Sequence, residues 1–185
     1  METFQLSEKL LKKIADLISA KKNTPLKKIV KDIHFADMAE IINELNEQQG
    51  IYLIKLFDSE KTSEILTELD EDVREKILKA LSVKEIADEI EELDSDDAAD
   101  ILGELSDERK EEVISEISDD NLADDLKELL SYEEDSAGGL MAKELVQANE
   151  NWSVTKCLKE IKKQGENVTR VHSIYVVDDK QKLIG

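Results

Sequence analysis

Forty-five acidic side chains lie in 185 residues, and their spacing decides what chemistry is open to them. Asp96 and Asp100 stand four apart in DSDDAAD, which puts both carboxylates on one face of a helix. Glu40, Glu64, Asp88 and Glu112 recur every 24 residues, a ladder of carboxylates if two helices make one structural layer. Such oxygens suit a hard divalent cation. A solvated, solubilising face accounts for the same acids, and four matches are a modest coincidence in so acidic a chain.

Other chemistries find little support. DSDDAADILGEL, read from Asp94, departs from an EF-hand: its sixth position is Ala99 rather than Gly and its twelfth is Leu105 rather than Glu. His34 and His172 have no neighbouring Cys or His, so capping or packing is expected of them rather than zinc binding. Carboxylate pairs abound, but aromatic content of 4% offers no sugar-binding cleft or apolar pocket to raise an acid's pKa. No glycine-rich phosphate loop is present. The sequence does not read as an enzyme.

The elements that position these acids follow from a twelve-residue repeat. Leu45, Phe57, Leu69, Leu81, Leu93, Leu105, Ile117 and Leu129 lie twelve apart. Ile42, Ile54, Leu66, Leu78, Ile90, Leu102, Ile114 and Leu126 form a second series three residues earlier. In one long helix, twelve residues would turn the apolar face by about 120° per repeat, and that face would bury nothing continuous. The helix must break. Asn46, Asp58, Asp70, Ser82, Asp94, Ser106 and Ser118, each directly after the first series, are types that cap helix N-termini. Residues 34–130 are therefore predicted to be about eight short, stacked helices, and losing a cap such as Asp70 or Asp94 is expected to cost about 1 kcal/mol. Acids in the first turns, such as Glu71 and Asp72, also favour the helix dipole.

On either side the pattern changes. Residues 6–20 read as an amphipathic helix and Pro25 suits the first turn of the next. This pair is expected to cap the repeat and to neutralise part of its end, with a membrane-surface role as the other reading. After Leu130, SYEEDSAGGLM interrupts the repeat, and Gly138 and Gly139 allow close backbone approach or positive φ. Ser153 should cap a helix that runs to Gly165. VHSIYVVD reads as a strand, Asp178–Gln181 as a turn, and KLIG as the start of a second strand, which points to a truncated unit with exposed apolar edges.

Charge is segregated along the chain. Residues 1–33 carry eight Lys against four acids, and residues 34–135 carry nine basic residues against 35 acids. That middle segment repels nucleic acid and attracts cations. No apolar run reaches the ~18 residues of a membrane span, no signal-peptide pattern opens the chain, and the single Cys157 cannot form an internal disulfide. The expected setting is soluble and cytosolic.

HFADMAEIINEL, the 24-residue double helices, YEEDSAGGLM and IYVVDDKQKLIG together resemble the cytosolic region of MgtE-type magnesium transporters. The resemblance covers nearly all of residues 34–185, and the junction is its most specific part. It implies a mainly α fold: a right-handed superhelical solenoid of short helices, followed by a truncated α/β CBS half-domain. After the N-terminal helical cap read above at 1–33, the implied organisation is the helical-repeat N domain at 34–130, a junction at 131–141 and a partial CBS domain at 142–185. It also implies a Mg²⁺ sensor on the cytoplasmic side of the cell membrane, homodimeric in the full protein, which gates a transmembrane pore. The pore and the remaining CBS domains belong to the same full-length chain. The implied metal ligands are Glu64 in TSEIL, Asp96 and Asp100 in DDAAD, and the carbonyl of Gly139, with CBS-side carboxylates beyond residue 185. The alternative is an acidic protein-interaction scaffold resembling flagellar motor switch proteins, which are not known for this junction followed by a half CBS unit.

Overall fold

The computed structural model describes residues 6–133, 135–165, 171 and 173–185. Among the described residues are eleven helices and two strands, and the chain is 61% helical. The helices α1 (Glu8–Ser19) and α2 (Asn23–Val30) come first. Then α3 (Phe35–Asn43), α4 (Glu47–Ile54), α5 (Ser59–Glu68), α6 (Glu71–Ala80), α7 (Val83–Ile90), α8 (Ser95–Gly103), α9 (Asp107–Glu116) and α10 (Asp120–Leu129) follow as the eight short helices expected over 34–130. The chain closes with β1 (Val146–Asn149), α11 (Val154–Gln164) and β2 (Ile174–Val177).

Caps make the breaks. Asn46 and Ser82 form full capping boxes with Gln49 and Glu85, and Asp58 and Ser106 accept the N–H groups of Lys61 and Arg109. His34 caps α3, where the Ala36 N–H donates to its Nδ1 at 3.4 Å. His172 lies outside the described residues. Two expected caps differ. Asp70 occupies the N-cap of α6, yet its side chain accepts no cap bond, so the dipole there rests on Glu71 and Asp72. Helix α10 starts one residue late because the Ser118 N–H is held by the Glu91 carboxylate, and Asp119 takes over, accepting from Asn121 N–H at 2.9 Å.

Two compact units divide the chain: residues up to Leu93 with Ile101–Ala123, and Asp94–Asp100 with Asp124–Gly185. In the first unit α3 packs on α5, α5 on α7 and α7 on α9, while α4 packs on α6, so odd and even helices form separate layers. Ile42, Ile54, Leu66, Leu78 and Ile90 are at most 1% exposed, each burial stabilising by about 1.5–3 kcal/mol. Buried Val30 and half-buried Ile33 continue both apolar series one repeat upstream, so α2 stands in the register of the even helices. Lys21 (φ 51°) closes α1 in the left-handed region; its N–H and that of Lys22 satisfy the carbonyls of Ile18 and Leu17.

In the second unit β1 and β2 pair in parallel, Val146 opposite Ile174, and α11 packs on β1 as the crossover that a parallel pair requires. Strand β1 is absent from the sequence expectations. It has four residues and only Val146 and Ala148 buried, too short for a period-two signal. Ser153 caps α11, Gln181 (φ 61°) makes the turn, and Leu183 bridges back to Val177. Ile174, Tyr175, Leu183 and Ile184 are exposed apolar residues at the expected edges. Among the described glycines none has positive φ; Gly138 serves close approach instead, since a Cβ there would lie 2.6 Å from the Tyr132 ring.

Candidate metal-binding surface

The 24-residue ladder becomes physical in the odd layer. Glu40 lies on α3, Glu64 on α5, Asp88 on α7 and Glu112 on α9, and all four are exposed. Glu64 lines a groove of about 390 Å³ with Ile33, His34, Phe35, Asp58, Glu60 and Lys61. The groove holds a fixed cation of its own. Lys61 Nζ donates to the carbonyls of Val30 (3.1 Å), Lys31 (3.3 Å) and Ile33 (2.9 Å), which satisfies acceptors at the end of α2. Burial lowers the Lys61 pKa, and Asp58, Asp32 and Glu64 act against that shift. An ammonium so placed weakens the pull of Glu64 on any second cation.

The same device recurs 48 residues later, where Arg109 donates to the carbonyls of Leu78 (3.1 Å) and Leu81 at the end of α6. Midway, Glu85 takes that register position and pairs instead with Lys55, the C-cap of α4, at 3.1 Å. Its cap bond to the Ser82 N–H holds the Glu85 carboxyl below its ordinary range. Lys61, Glu85 and Arg109 stand 24 residues apart in the sequence, but the change of charge sign at Glu85 hides them as a series.

Glu89 is the acid whose environment opposes its charge. It lines a groove of about 220 Å³ with Lys55, Thr62, Glu85, Asp88 and others, and its Oε2 is buried with no hydrogen-bond partner among the described residues. Burial pushes its carboxyl up to about 8, and Asp88, Glu85, Glu92 and Asp58 add repulsion. Glu89 therefore holds a proton near neutral pH and is a poor cation ligand there.

The second unit contains the other expected ligands. Asp96 is half-buried and Asp100 exposed on α8, whose first turn closes with the Ala98 N–H donating to the Asp94 carbonyl at 3.0 Å. Ser95, just before Asp96, is fully buried; its N–H and hydroxyl both donate to the Glu144 carboxylate, at 3.1 and 2.8 Å. The Lys143 N–H donates to Ser95 Oγ at 2.8 Å, and Lys143 Nζ pairs with Glu128 at 2.8 Å. That pairing lowers the Glu128 pKa and raises that of Lys143. Glu128 also accepts the Tyr132 hydroxyl at 3.1 Å, and the Gly139 N–H donates to Ser136 Oγ at 3.1 Å. The segment just after the junction, Lys143 and Glu144, is thus tied to the start of α8 by contacts 48 and 49 residues apart in sequence.

Asp96, Asp100 and Gly139 share one compact unit, while Glu64 belongs to the other. Among the described residues no three His, Cys, Asp or Glu side chains converge closely enough to hold an ion. The donors present are hard oxygens in ones and twos. That fits a hydrated Mg²⁺ completed by other groups, and not a closed cage.

Residues 33–135 match the family of the MgtE intracellular N domain, and residues 137–185 match the CBS domain family. Over 57 residues, 31% of this chain, the sequence is 40% identical to the magnesium transporter MgtE of Thermus thermophilus. That stretch spans 13% of the transporter's length. A crystal structure of the cytosolic domain of the Mg²⁺ channel MgtE in complex with ATP superimposes with a TM-score of 0.82 at 26% identity, over 94% of this chain and 71% of that one. The soluble part of a magnesium transporter superimposes with a TM-score of 0.76 at 22% identity, over 96% and 70% of the two chains, a likeness of fold. Among the described residues no helix is long and apolar enough to cross a membrane.

Proposed function

The chain belongs to the family of the MgtE intracellular N domain, and on that premise we propose that it is the Mg²⁺-sensing regulatory region of a magnesium transporter. It acts as a sensor and catalyses nothing. It lies on the cytoplasmic side of the membrane and is part of a homodimer whose pore and further CBS domains complete the protein. The observation that carries this reading is the segregation of charge: 35 acids against nine basic residues over 34–135. A surface of that charge is costly to bring against another acidic surface unless divalent ions come between them.

The proposed ligands are Glu64 on the first unit and Asp96, Asp100 and the Gly139 carbonyl on the second. The first unit offers one such group and the second offers three, and water and acids outside residues 1–185 supply the rest. Shared and water-rich coordination gives weak binding, which suits a sensor of abundant free Mg²⁺. The Ser95–Glu144 and Lys143–Glu128 contacts position the start of α8 and the junction, so Asp96 and Asp100 are presented on a fixed backbone.

Backbone amide shifts in an NMR titration test the assignment on this chain. With MgCl₂, shifts should concentrate near Glu64, Asp96, Asp100 and Gly139, and NaCl at matched ionic strength should not reproduce them. Changing Glu64, Asp96 and Asp100 together to Ala should remove them. Shifts spread evenly over all acids, or unaltered in that variant, would refute the ligand assignment.

A further inference from the structure

The Mg²⁺ reading leaves one charged surface unused. The hairpin of α1 and α2 precedes both matched regions, and residues 6–33 carry eight lysines against Glu8, Asp16 and Asp32. All eight, Lys9, Lys12, Lys13, Lys21, Lys22, Lys27, Lys28 and Lys31, are exposed. The sequence leads one to expect that they neutralise part of the end of the acidic repeat. Among the described residues they make no ion pair with it: Lys31 meets only its own neighbour Asp32, at 3.8 Å. Apolar packing and hydrogen bonds tie the hairpin to the repeat, and the Lys61 ammonium of α5 holds the carbonyls at the end of α2. Ile14, Ile18, Leu26 and Val30 are buried, α1 packs on α4, and the Tyr52 hydroxyl donates to Asn23.

The geometry presents the charge outward. On α1 the apolar residues Leu10, Leu11, Ile14, Leu17 and Ile18 take one face, and Lys9, Lys12 and Lys13 fall on the opposite one. On α2, Leu26 and Val30 point inward, and Lys27, Lys28 and Lys31 take the other side. Lys21 and Lys22 sit on the turn between the helices.

We propose that the α1–α2 hairpin is an electrostatic docking surface for an anionic lipid bilayer. Residues 6–33 contain no Arg and no aromatic residue, so they lack the planar forks and stacking rings that nucleic-acid recognition uses. Ammonium groups on long, flexible stems suit a fluid anionic surface, where each one near the headgroups raises affinity about fivefold. The acidic repeat orients the contact, because only this end of the first unit is attracted. The proposal does not require the Mg²⁺ reading, and its test is run in EDTA.

The experiment is co-sedimentation of the full chain with phosphatidylcholine vesicles, with and without about one-third phosphatidylglycerol. Binding is expected to the anionic vesicles alone and to vanish at roughly 0.3 M NaCl. The K9Q/K12Q/K13Q and K27Q/K28Q/K31Q variants should each weaken it at least about tenfold, with circular dichroism melts confirming that both remain folded. K159Q/K162Q/K163Q, on exposed lysines of α11, should leave it within about twofold. Absence of binding, or equal loss in all three variants, would overturn the proposal. Self-association of the wild type that the hairpin variants abolish, without vesicle binding, would assign the surface to a second copy and overturn it too.

Discussion

At the scale of single residues, Glu89 links geometry to a measurable pH effect. Between the ordinary carboxyl pKa of 4.5 and its folded value of about 8, the folded chain holds a proton that the unfolded chain has released. Stability from this group is therefore intact below about 4.5 and is lost as pH rises through about 8. Lys55 is the cation lining its groove, and it is already engaged by Glu85. Glu89→Gln should leave melting temperature nearly unchanged at acid pH and raise it at about pH 9, so that the variant's pH profile is flatter. Equal profiles would mean that Oε2 finds water or a cation. Gly138 gives a second residue-scale prediction. Gly138→Ala should cost about 1–3 kcal/mol in denaturant melts, because its Cβ meets the Tyr132 ring, and the cost should shrink in a Tyr132→Ala background. Neither effect was legible in sequence. Glu89 reads there as one acid among many, and the partner of Gly138 is fixed only once the chain turns at the junction.

At the scale of elements, caps that look equivalent in sequence separate in the structure. Ser82 closes a capping box with Glu85, while the Asp70 side chain accepts no cap bond. Ser82→Ala should cost about 1 kcal/mol and Asp70→Ala only a few tenths, read from urea midpoints. Equal costs would show that the dipole, and not the cap bond, governs both ends. The helices were legible because each must bury residues at fixed intervals: none of the sixteen repeat residues is exposed. The start of the repeat was less so, since Val30 and Ile33 continue both series inside a segment whose lysines read as a separate basic cap. Strand β1 was hidden for a different reason. Its partner β2 lies across a helix, and four residues carry too little pattern to announce a strand. In the candidate site, the acids of α8 were visible as a motif. The Glu144 and Lys143 contacts that fix its first turn were not, because only tertiary folding brings them there.

At the scale of the whole molecule, the governing quantity is charge, −20 over the chain and concentrated in its middle. Like charges about 4 Å apart repel by about 1 kcal/mol in a water-like dielectric, and by more where partly buried. An acidic surface of this size should stay apart from other acidic surfaces at low Mg²⁺ and close on them when divalent ions are shared. The most direct measurement is small-angle scattering of residues 1–185 extended through the further CBS domains of the proposed full-length protein, in MgCl₂ and in NaCl at matched ionic strength. The expected result is a smaller radius of gyration with MgCl₂ alone. Compaction should be lost when Glu64, Asp96 and Asp100 are all changed to Ala and kept when Asp119, Asp120 and Asp124 are. Equal compaction by NaCl, or the same response from both triple variants, would contradict the account and leave these acids as a solvated face.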